Sequence, residues 1–150
     1  MKRFFVFLLI LCTVLCMPFA TKIVDFANSF SGEYCFYTSQ NFQSPVATTI
    51  KNGEGYIITC DIKNAKTIKN ALNKNCLYGE SFSFCGNQSE INKIMFDLDV
   101  VYSCKNDLDI IAYSPKVDYC VYLDQKPFNM QIACKDGLVF VGFPTIFGGF

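Results

Sequence analysis

The fold is decided by residues 79–98, which read GESFSFCGNQSEINKIMFDL. In the first third of this stretch, polar and aromatic residues alternate, and a period of two residues is typical of a β-strand. The alternation places Phe82 and Phe84 on the same face of the strand. That face must be covered by other apolar residues, so the stretch predicts a sheet with a core on one side.

A helix is predicted directly after this strand. Asn87 is followed three residues later by Glu90, the spacing of a capping box, in which each side chain bonds the backbone of the other residue. The apolar residues that follow at helical spacing are Ile91, Ile94, Met95 and Leu98. A single apolar stripe of this kind indicates a helix that packs on a sheet.

A second amphipathic helix is predicted before the strand. Asp61 is placed to cap a helix that runs from Ile62 to about Lys74. Its apolar face consists of Ala65, Ile68, Ala71 and Leu72, and its other face carries Lys63, Lys66, Lys69 and Lys74. The lysine face is either the solvated side of the helix or a surface for anionic glycopolymer or lipid head groups.

Strand-like runs occupy most of the remaining sequence. Runs 46–51 and 55–60 flank Asn52-Gly53, a strong hairpin signal because both residues tolerate positive φ. Residues 33–38 read as a strand, and residues 21–31 read as a short helix or an extended lead-in. The last third reads as an antiparallel meander of five runs, 100–104, 108–113, 118–123, 128–134 and 138–143, with turn residues between them.

The predicted fold class is α+β, a mostly antiparallel sheet with two amphipathic helices packed on one face. Strands and helices do not alternate regularly along the chain, as they would in a parallel α/β fold. We expect residues 21–150 to form a single domain of this class, because their number is typical of one domain.

Residues 1–20 are interpreted as a signal peptide. Lys2 and Arg3 precede an apolar stretch from Phe4 through Met17, and Ala20 is a small residue for the cleavage site. The alternative is an uncleaved N-terminal anchor, which would then be the chain's contact with a membrane. In both cases we expect the domain to be secreted or extracytoplasmic, at the cell envelope.

Composition excludes several classes of function. The 150 residues include no histidine, so Ser-His-Asp and Cys-His catalysis and His-ligated metal sites are excluded. The whole chain has 13 basic and 13 acidic residues, but loss of residues 1–20 leaves 11 Lys against 13 acids, a net charge of −2, and no arginine. Because arginine supplies the bidentate contacts to phosphate and guanine, we expect no nucleic-acid partner.

Seven cysteines follow residue 20, an odd number with no Cys-x-x-Cys pair. They are Cys35, Cys60, Cys76, Cys85, Cys104, Cys120 and Cys134. An exported protein would use them as a disulfide framework of up to three bridges. The strand-like neighbours of most of them favour the other interpretation, in which the thiols are buried singly in a sheet core.

No catalytic, cofactor-binding or metal-ligating residue is predicted, and the sequence contains no glycine-rich phosphate-binding loop. The acids considered for a carboxylate-based enzyme are Glu33, Glu80, Asp97, Asp99, Asp107 and Asp109. The four aspartates read as solvated turn residues, whereas the two glutamates precede aromatic strand residues. Such an enzyme would need two of these acids in one cleft.

Four short segments in the second half of the chain carry a resemblance to a known group of proteins. They read GESFSF at 79–84, IIAYSP at 110–115, NMQIA at 129–133 and VGFP at 141–144. In these segments the chain resembles the YwmB-like exported proteins of spore-forming Gram-positive bacteria, whose fold is similar to that of the TATA-box-binding protein. The resemblance implies an exported, non-catalytic protein at the cell envelope or in sporulation, and it assigns no functional residues.

The expected function is that of an exported interaction protein without enzymatic activity. Its partner would be an unknown protein or cell-envelope component, bound through aromatic strand surfaces, for which 12 Phe and 8 Tyr after residue 20 are available. A contiguous exposed aromatic patch would favour this function, whereas burial of the rings would remove the argument. The alternatives are a carboxylate-based hydrolase and a small disulfide-stabilised secreted effector or inhibitor.

Overall fold

The main element of the fold is a large antiparallel sheet. The computed structural model describes residues 22–106 and 109–147. The helices are α1 (Ile23–Ala27), α2 (Ile62–Ala71) and α3 (Gln88–Asp97), with a 3₁₀ turn at Lys74–Cys76. The strands are β1 (Gly32–Thr38), β2 (Ala47–Asn52), β3 (Gly55–Asp61), β4 (Leu77–Cys85), β5 (Tyr102–Lys105), β6 (Asp109–Tyr113), β7 (Val121–Leu123), β8 (Lys126–Phe128), β9 (Met130–Lys135) and β10 (Leu138–Phe143).

Eight of the strands form one sheet in the order β2-β3-β1-β4-β10-β9-β6-β5, and all its ladders are antiparallel. The predicted α+β class with a mostly antiparallel sheet is therefore confirmed. The Asn-Gly hairpin is also confirmed, since β2 pairs with β3 around Gly53, whose φ is 59°. The predicted signal peptide, residues 1–20, lies outside the described residues.

The predicted five-strand meander is wrong in its middle. Strands β7 and β8 form a two-stranded hairpin of their own, and β6 pairs directly with β9. The cause is the turn at Asp124 and Gln125, whose φ angles of 49° and 66° are both left-handed and close a tight two-residue hairpin. The sequence pattern places turn residues between runs 118–123 and 128–134, but neither Asp124 nor Gln125 is the glycine typical of a two-residue turn, so it does not show that a strand starts again at Lys126.

The predicted helix caps are confirmed. The Asp61 side chain accepts a hydrogen bond from the backbone N–H of Lys63 at the start of α2. At the start of α3, Asn87 and Glu90 form the reciprocal capping box. Helix α2 ends at Ala71, before the predicted end at Lys74, because the chain turns there into the 3₁₀ segment.

All three helices bury an apolar stripe on the same face of the sheet. The short helix α1 adds Ile23, Val24 and Ala27 to this core, so of the two alternatives for residues 21–31 the short helix is the one observed, beside the two predicted amphipathic helices. Phe82 lies among aromatic rings from α1, the neighbouring strands and the α1–β1 connection, with ring centroids 5.5–6.3 Å away. The fully or nearly fully buried rings are Tyr34, Phe36, Phe82, Phe84 and Phe143.

Another buried contact fixes the segment between β6 and β7. The side chain of Asn129 donates hydrogen bonds to the carbonyls of Ser114 and Val117, at 2.7 Å and 3.1 Å, and accepts one from the Ser114 N–H at 2.9 Å. Asn129 is fully buried, and these bonds satisfy its amide. They hold the turn that leads to Tyr119, a residue of the polar cluster described below.

We predict that Asn87→Ala lowers the free energy of unfolding by about 1 kcal/mol, because it removes the side-chain oxygen that accepts the hydrogen bond from the Ser89 N–H. The matched control is Asn92→Ala, an exposed position in the middle of the same helix, where alanine has the better helix propensity. Urea denaturation of both variants checks the prediction. Equal stability of the two variants would contradict it.

Candidate functional site

The face of the sheet opposite the helices is the candidate binding surface, here called the open face. Side chains alternate along a strand, so Tyr34 and Phe36 of β1 point to the helices, whereas Glu33, Cys35 and Tyr37 point the other way. Register extends this assignment across the ladders. The side chains that register places on the open face include Glu33, Cys35, Tyr37, Thr48, Ile50, Ile57, Thr59, Asp61, Ser81, Ser83, Cys85, Tyr102, Cys104, Asp109, Ile111, Tyr113, Gln131, Ala133, Lys135, Leu138 and Phe140.

A groove of about 390 Å³ runs over one half of the open face. Small side chains, among them Cys35 and Ser81, form its floor. Its apolar lining residues are Ile50, Ile57, Phe140, Ile146 and Phe147. The groove therefore combines an apolar lining with hydroxyl and thiol groups, and Glu33 and Lys51 are its charged lining residues.

Aromatic side chains lie at both ends of the open face. At one end, the ring of Tyr37 stacks on Phe147 at 4.5 Å and contacts Tyr78 at 5.8 Å, and Tyr78 is 52% exposed. At the other end, Tyr102 and Tyr113 stack at 5.9 Å. Exposed aromatic and aliphatic groups are thus present on this face, although the rings on the helix face are core.

Residues 144–147, here called the strap, fold back over the open face beside the groove. A Cβ atom at Gly79 would collide with the ring of Phe147, and one at Gly142 would collide with the backbone of Thr145. The backbone N–H of Ile146 donates a 3.0 Å hydrogen bond to Gln131 Oε1. The strap fits because both strands carry glycine beneath it.

A buried polar cluster centred on Glu80 occupies the helix face. The carboxylate is fully buried and accepts hydrogen bonds from Lys69 Nζ at 2.6 and 2.8 Å, from Tyr34 Oη at 2.6 Å and from Tyr119 Oη at 3.3 Å. Sequence reasoning placed Glu80 before aromatic strand residues and placed Lys69 on the polar face of the helix, as a solvated residue or as part of a surface for anionic groups. Lys69 corrects that assignment, because its ammonium reaches inward across the end of α2 to Glu80.

The tyrosines of this cluster are held in their protonated form. Burial raises the pKa of Tyr34 well above its usual value, and the adjacent Glu80 carboxylate adds to the effect. The pKa of Tyr119 is raised by the same two causes in the same order. Both hydroxyls therefore stay available as donors to Glu80.

The lysine row of α2 is largely neutralised by neighbouring carboxylates. Lys63 pairs with Asp61 at 3.0 Å, Lys66 pairs with Asp25 at 2.8 Å, and Lys69 pairs with Glu80. A hydrogen bond from its lysine lowers the pKa of Asp25, and another lowers that of Asp61. A cleft of about 360 Å³ lies beside this row, but the ion pairs leave it little excess positive charge for an anionic ligand.

The acids considered for catalysis lie in separate places. Glu33 projects from the open face and Glu80 from the helix face. Asp97 and Asp99 lie at and beyond the end of α3, where Asp99 pairs with Lys116 at 2.8 Å, and Asp109 accepts a hydrogen bond from Gln131. Asp107 lies outside the described residues, and the other five acids of this set do not come together; Glu80 shares the cleft of about 360 Å³ with Asp25 and Asp118, which were not among the acids considered.

All seven cysteines of the described chain are free. Only Cys60 is buried, and four are exposed, namely Cys85, Cys104, Cys120 and Cys134. The structure therefore contains no disulfide framework among them, and the interpretation as singly buried thiols is wrong for the exposed four. Cys104 lies on the edge strand β5, Cys85 is the last residue of β4, Cys134 is the last residue but one of β9, and Cys120 lies directly before β7.

Comparisons with protein-family models, curated proteins and solved structures found no match for this chain. Within residues 22–106 and 109–147, no group of three or more potential metal ligands comes together. No helix in that part of the chain is long and apolar enough to cross a membrane.

Cysteine accessibility gives a direct test of this structure. We predict that iodoacetamide modifies Cys85, Cys104, Cys120 and Cys134 in the native protein, whereas Cys60 reacts only after denaturation. Burial raises the pKa of Cys60 to about 12, so its reactive thiolate is scarce at neutral pH. Peptide mapping by mass spectrometry, with and without urea, measures each site, and native modification of Cys60 at the rate of Cys104 would contradict the prediction.

Alkaline pH tests the Glu80 cluster. The raised pKa of folded Tyr34 means that the folded state keeps a proton that the unfolded state loses above about pH 10. This contribution to stability is complete below pH 10 and falls above it by about 1.4 kcal/mol per pH unit. We therefore predict that the stability difference between the wild type and Tyr34→Phe narrows between pH 10 and 11.

Urea denaturation at pH 7, 10 and 11 measures this difference. The matched control is Tyr122→Phe, at an exposed position on β7, and the narrowing for Tyr34→Phe should exceed any change measured for this control. A gap between wild type and Tyr34→Phe that stays constant up to pH 11 would refute the buried arrangement of Tyr34.

Proposed function

We propose that this protein is an exported, non-enzymatic interaction protein that binds a protein partner through its open face. It would act at the cell envelope or in the extracellular space. The observation that carries the proposal is the asymmetry of the sheet. The helices cover one face of the sheet. The open face presents a groove, two aromatic clusters and the side chain of Ile50, which is 60% exposed.

The chemistry of the open face favours a protein over a charged polymer. The charged residues that register places on this face are three acids and one lysine, namely Glu33, Asp61, Asp109 and Lys135, and uncharged hydroxyl, aliphatic and aromatic groups make up most of the rest. Aromatic groups with uncharged polar neighbours are typical of protein interfaces, and anionic polymers require clustered cations. This composition supports a polypeptide partner.

Export is supported by the sequence of residues 1–20, with its basic start, apolar stretch and small residue. The resemblance to YwmB-like exported proteins points in the same direction. The absence of arginine after residue 20 argues against a nucleic-acid partner. The scattered acids give the hydrolase alternative no geometric support, and the free cysteines give none to the disulfide-stabilised effector.

Site-specific photo-crosslinking in the source cells tests this proposal. We predict that a benzoyl-phenylalanine residue at position 50 or 102, both on the open face, gives one discrete adduct. The same residue at position 96 should give none, because Phe96 lies on α3 and is 81% exposed to solvent. Ile57→Lys, which places a charge in the groove, should abolish the adduct, whereas Tyr122→Lys should not.

Protease added to intact cells tests export in the same experiment, because an extracytoplasmic adduct is digested and a cytoplasmic one is protected. Adducts of equal yield from positions 50 and 96 would contradict binding through the open face. A protected adduct would contradict export while leaving the binding face intact.

A further inference from the structure

The strap occupies a well-defined place on the open face. Its aromatic residue, Phe147, lies flat against Tyr37, with ring centroids 4.5 Å apart and an interplanar angle of 5°. The ring sits over Gly79, at a place where any larger residue would collide with it. We call the surface formed by Gly79, Tyr37 and Gln131 the aromatic shelf.

The contacts of the strap are those of a bound peptide. Strand β10 ends at Phe143, so residues 144–147 lie beyond the ladder of the sheet. Ile146 bonds through its backbone N–H to the side chain of Gln131, and Phe147 contributes a ring. When an extended peptide is recognised, main-chain hydrogen bonds contribute affinity and side-chain pockets contribute specificity, and the strap makes one contact of each kind.

The position of the strap also connects it to the groove. Ile146 and Phe147 form one wall of the groove, and Ile50 and Ile57 lie on strands β2 and β3 at its other side. A peptide on the aromatic shelf would thus have about 390 Å³ of adjoining space for neighbouring side chains. Ile146 and Phe147 are only partly buried, so the contact that a partner would have to displace is small.

We infer that the strap is a built-in occupant of a docking site for an extended partner segment that presents an aromatic side chain, and that the partner binds by displacing it. This inference rests on the proposed function and names the kind of segment that the open face accepts. Because the strap competes from within the same chain, the apparent affinity for the partner segment is the intrinsic affinity multiplied by the fraction of molecules in which the shelf is free.

A synthetic peptide with the sequence of residues 144–150 serves as the probe. Labelled with fluorescein, it is titrated with the full chain, and fluorescence anisotropy gives the affinity. We expect Phe147→Ala to bind the peptide at least tenfold more tightly than the wild type, because its own strap no longer holds the shelf. Phe96→Ala removes an exposed phenylalanine elsewhere and should behave as the wild type does.

Two further measurements make the result specific. A peptide with alanine in place of its first phenylalanine should not bind, and Tyr37→Ala combined with Phe147→Ala should lose the gain. Phe147→Leu keeps an apolar side chain of similar size, so it covers the case in which Phe147→Ala does not fold, and it should give an intermediate affinity.

Equal affinity of the wild type and Phe147→Ala, or no saturable binding to either, would overturn the inference. Concentration-dependent dimers of the wild type that disappear in Phe147→Ala would also overturn it, because a second copy would then be the occupant. If the peptide does not bind but the crosslinks still depend on position, the aromatic shelf is refuted and the open face remains the binding surface. If the peptide binds as expected but the crosslinks do not depend on position, the shelf remains and the proposed function in the cell is refuted.

Discussion

The structure depends on the pairing of one buried carboxylate. Glu80 has no exposed surface, and a charge in that position is tolerated only when donors surround it. Those donors come from Lys69 of α2, Tyr34 of β1 and Tyr119 of the segment before β7, so one carboxylate joins a helix, the sheet and a loop. Removal of one partner of a buried ion pair costs about 3–5 kcal/mol, a large part of the stability of a small domain.

The Glu80 cluster helps to explain why the helices cover only one face of the sheet. The Glu80 cluster and the aromatic core around Phe82 lie on the same face, and together they hold the helices there. The opposite face is left with a groove, aromatic clusters and the strap. The stability of the fold and the proposed binding of a partner therefore depend on different faces, so open-face residues can be changed without loss of the core.

Local patterns in the sequence were sufficient for the fold class, because caps, alternation and turn residues act over a few neighbours. The Asn87–Glu90 capping box and the hairpin at Gly53 are of this kind. The site depends on contacts between distant residues, and no local pattern encodes them. In the sequence, Lys69 is one of four lysines on the polar face of a helix, and only the fold brings Glu80 beside it; likewise, no local pattern connects Phe147 with Gly79, on which its ring lies.

The central claim is that the open face is covered by a partner in the cell. Hydroxyl-radical footprinting of the protein in its source cells and after purification tests this most directly. We predict that Ile50, Tyr78 and Tyr102 are protected from oxidation in the cells and become oxidised after purification. Phe96 and Tyr122 should be oxidised to the same extent in the cells and in the purified protein. Protection of Phe96 or Tyr122 in the cells, with the open face oxidised as in the purified protein, would contradict it.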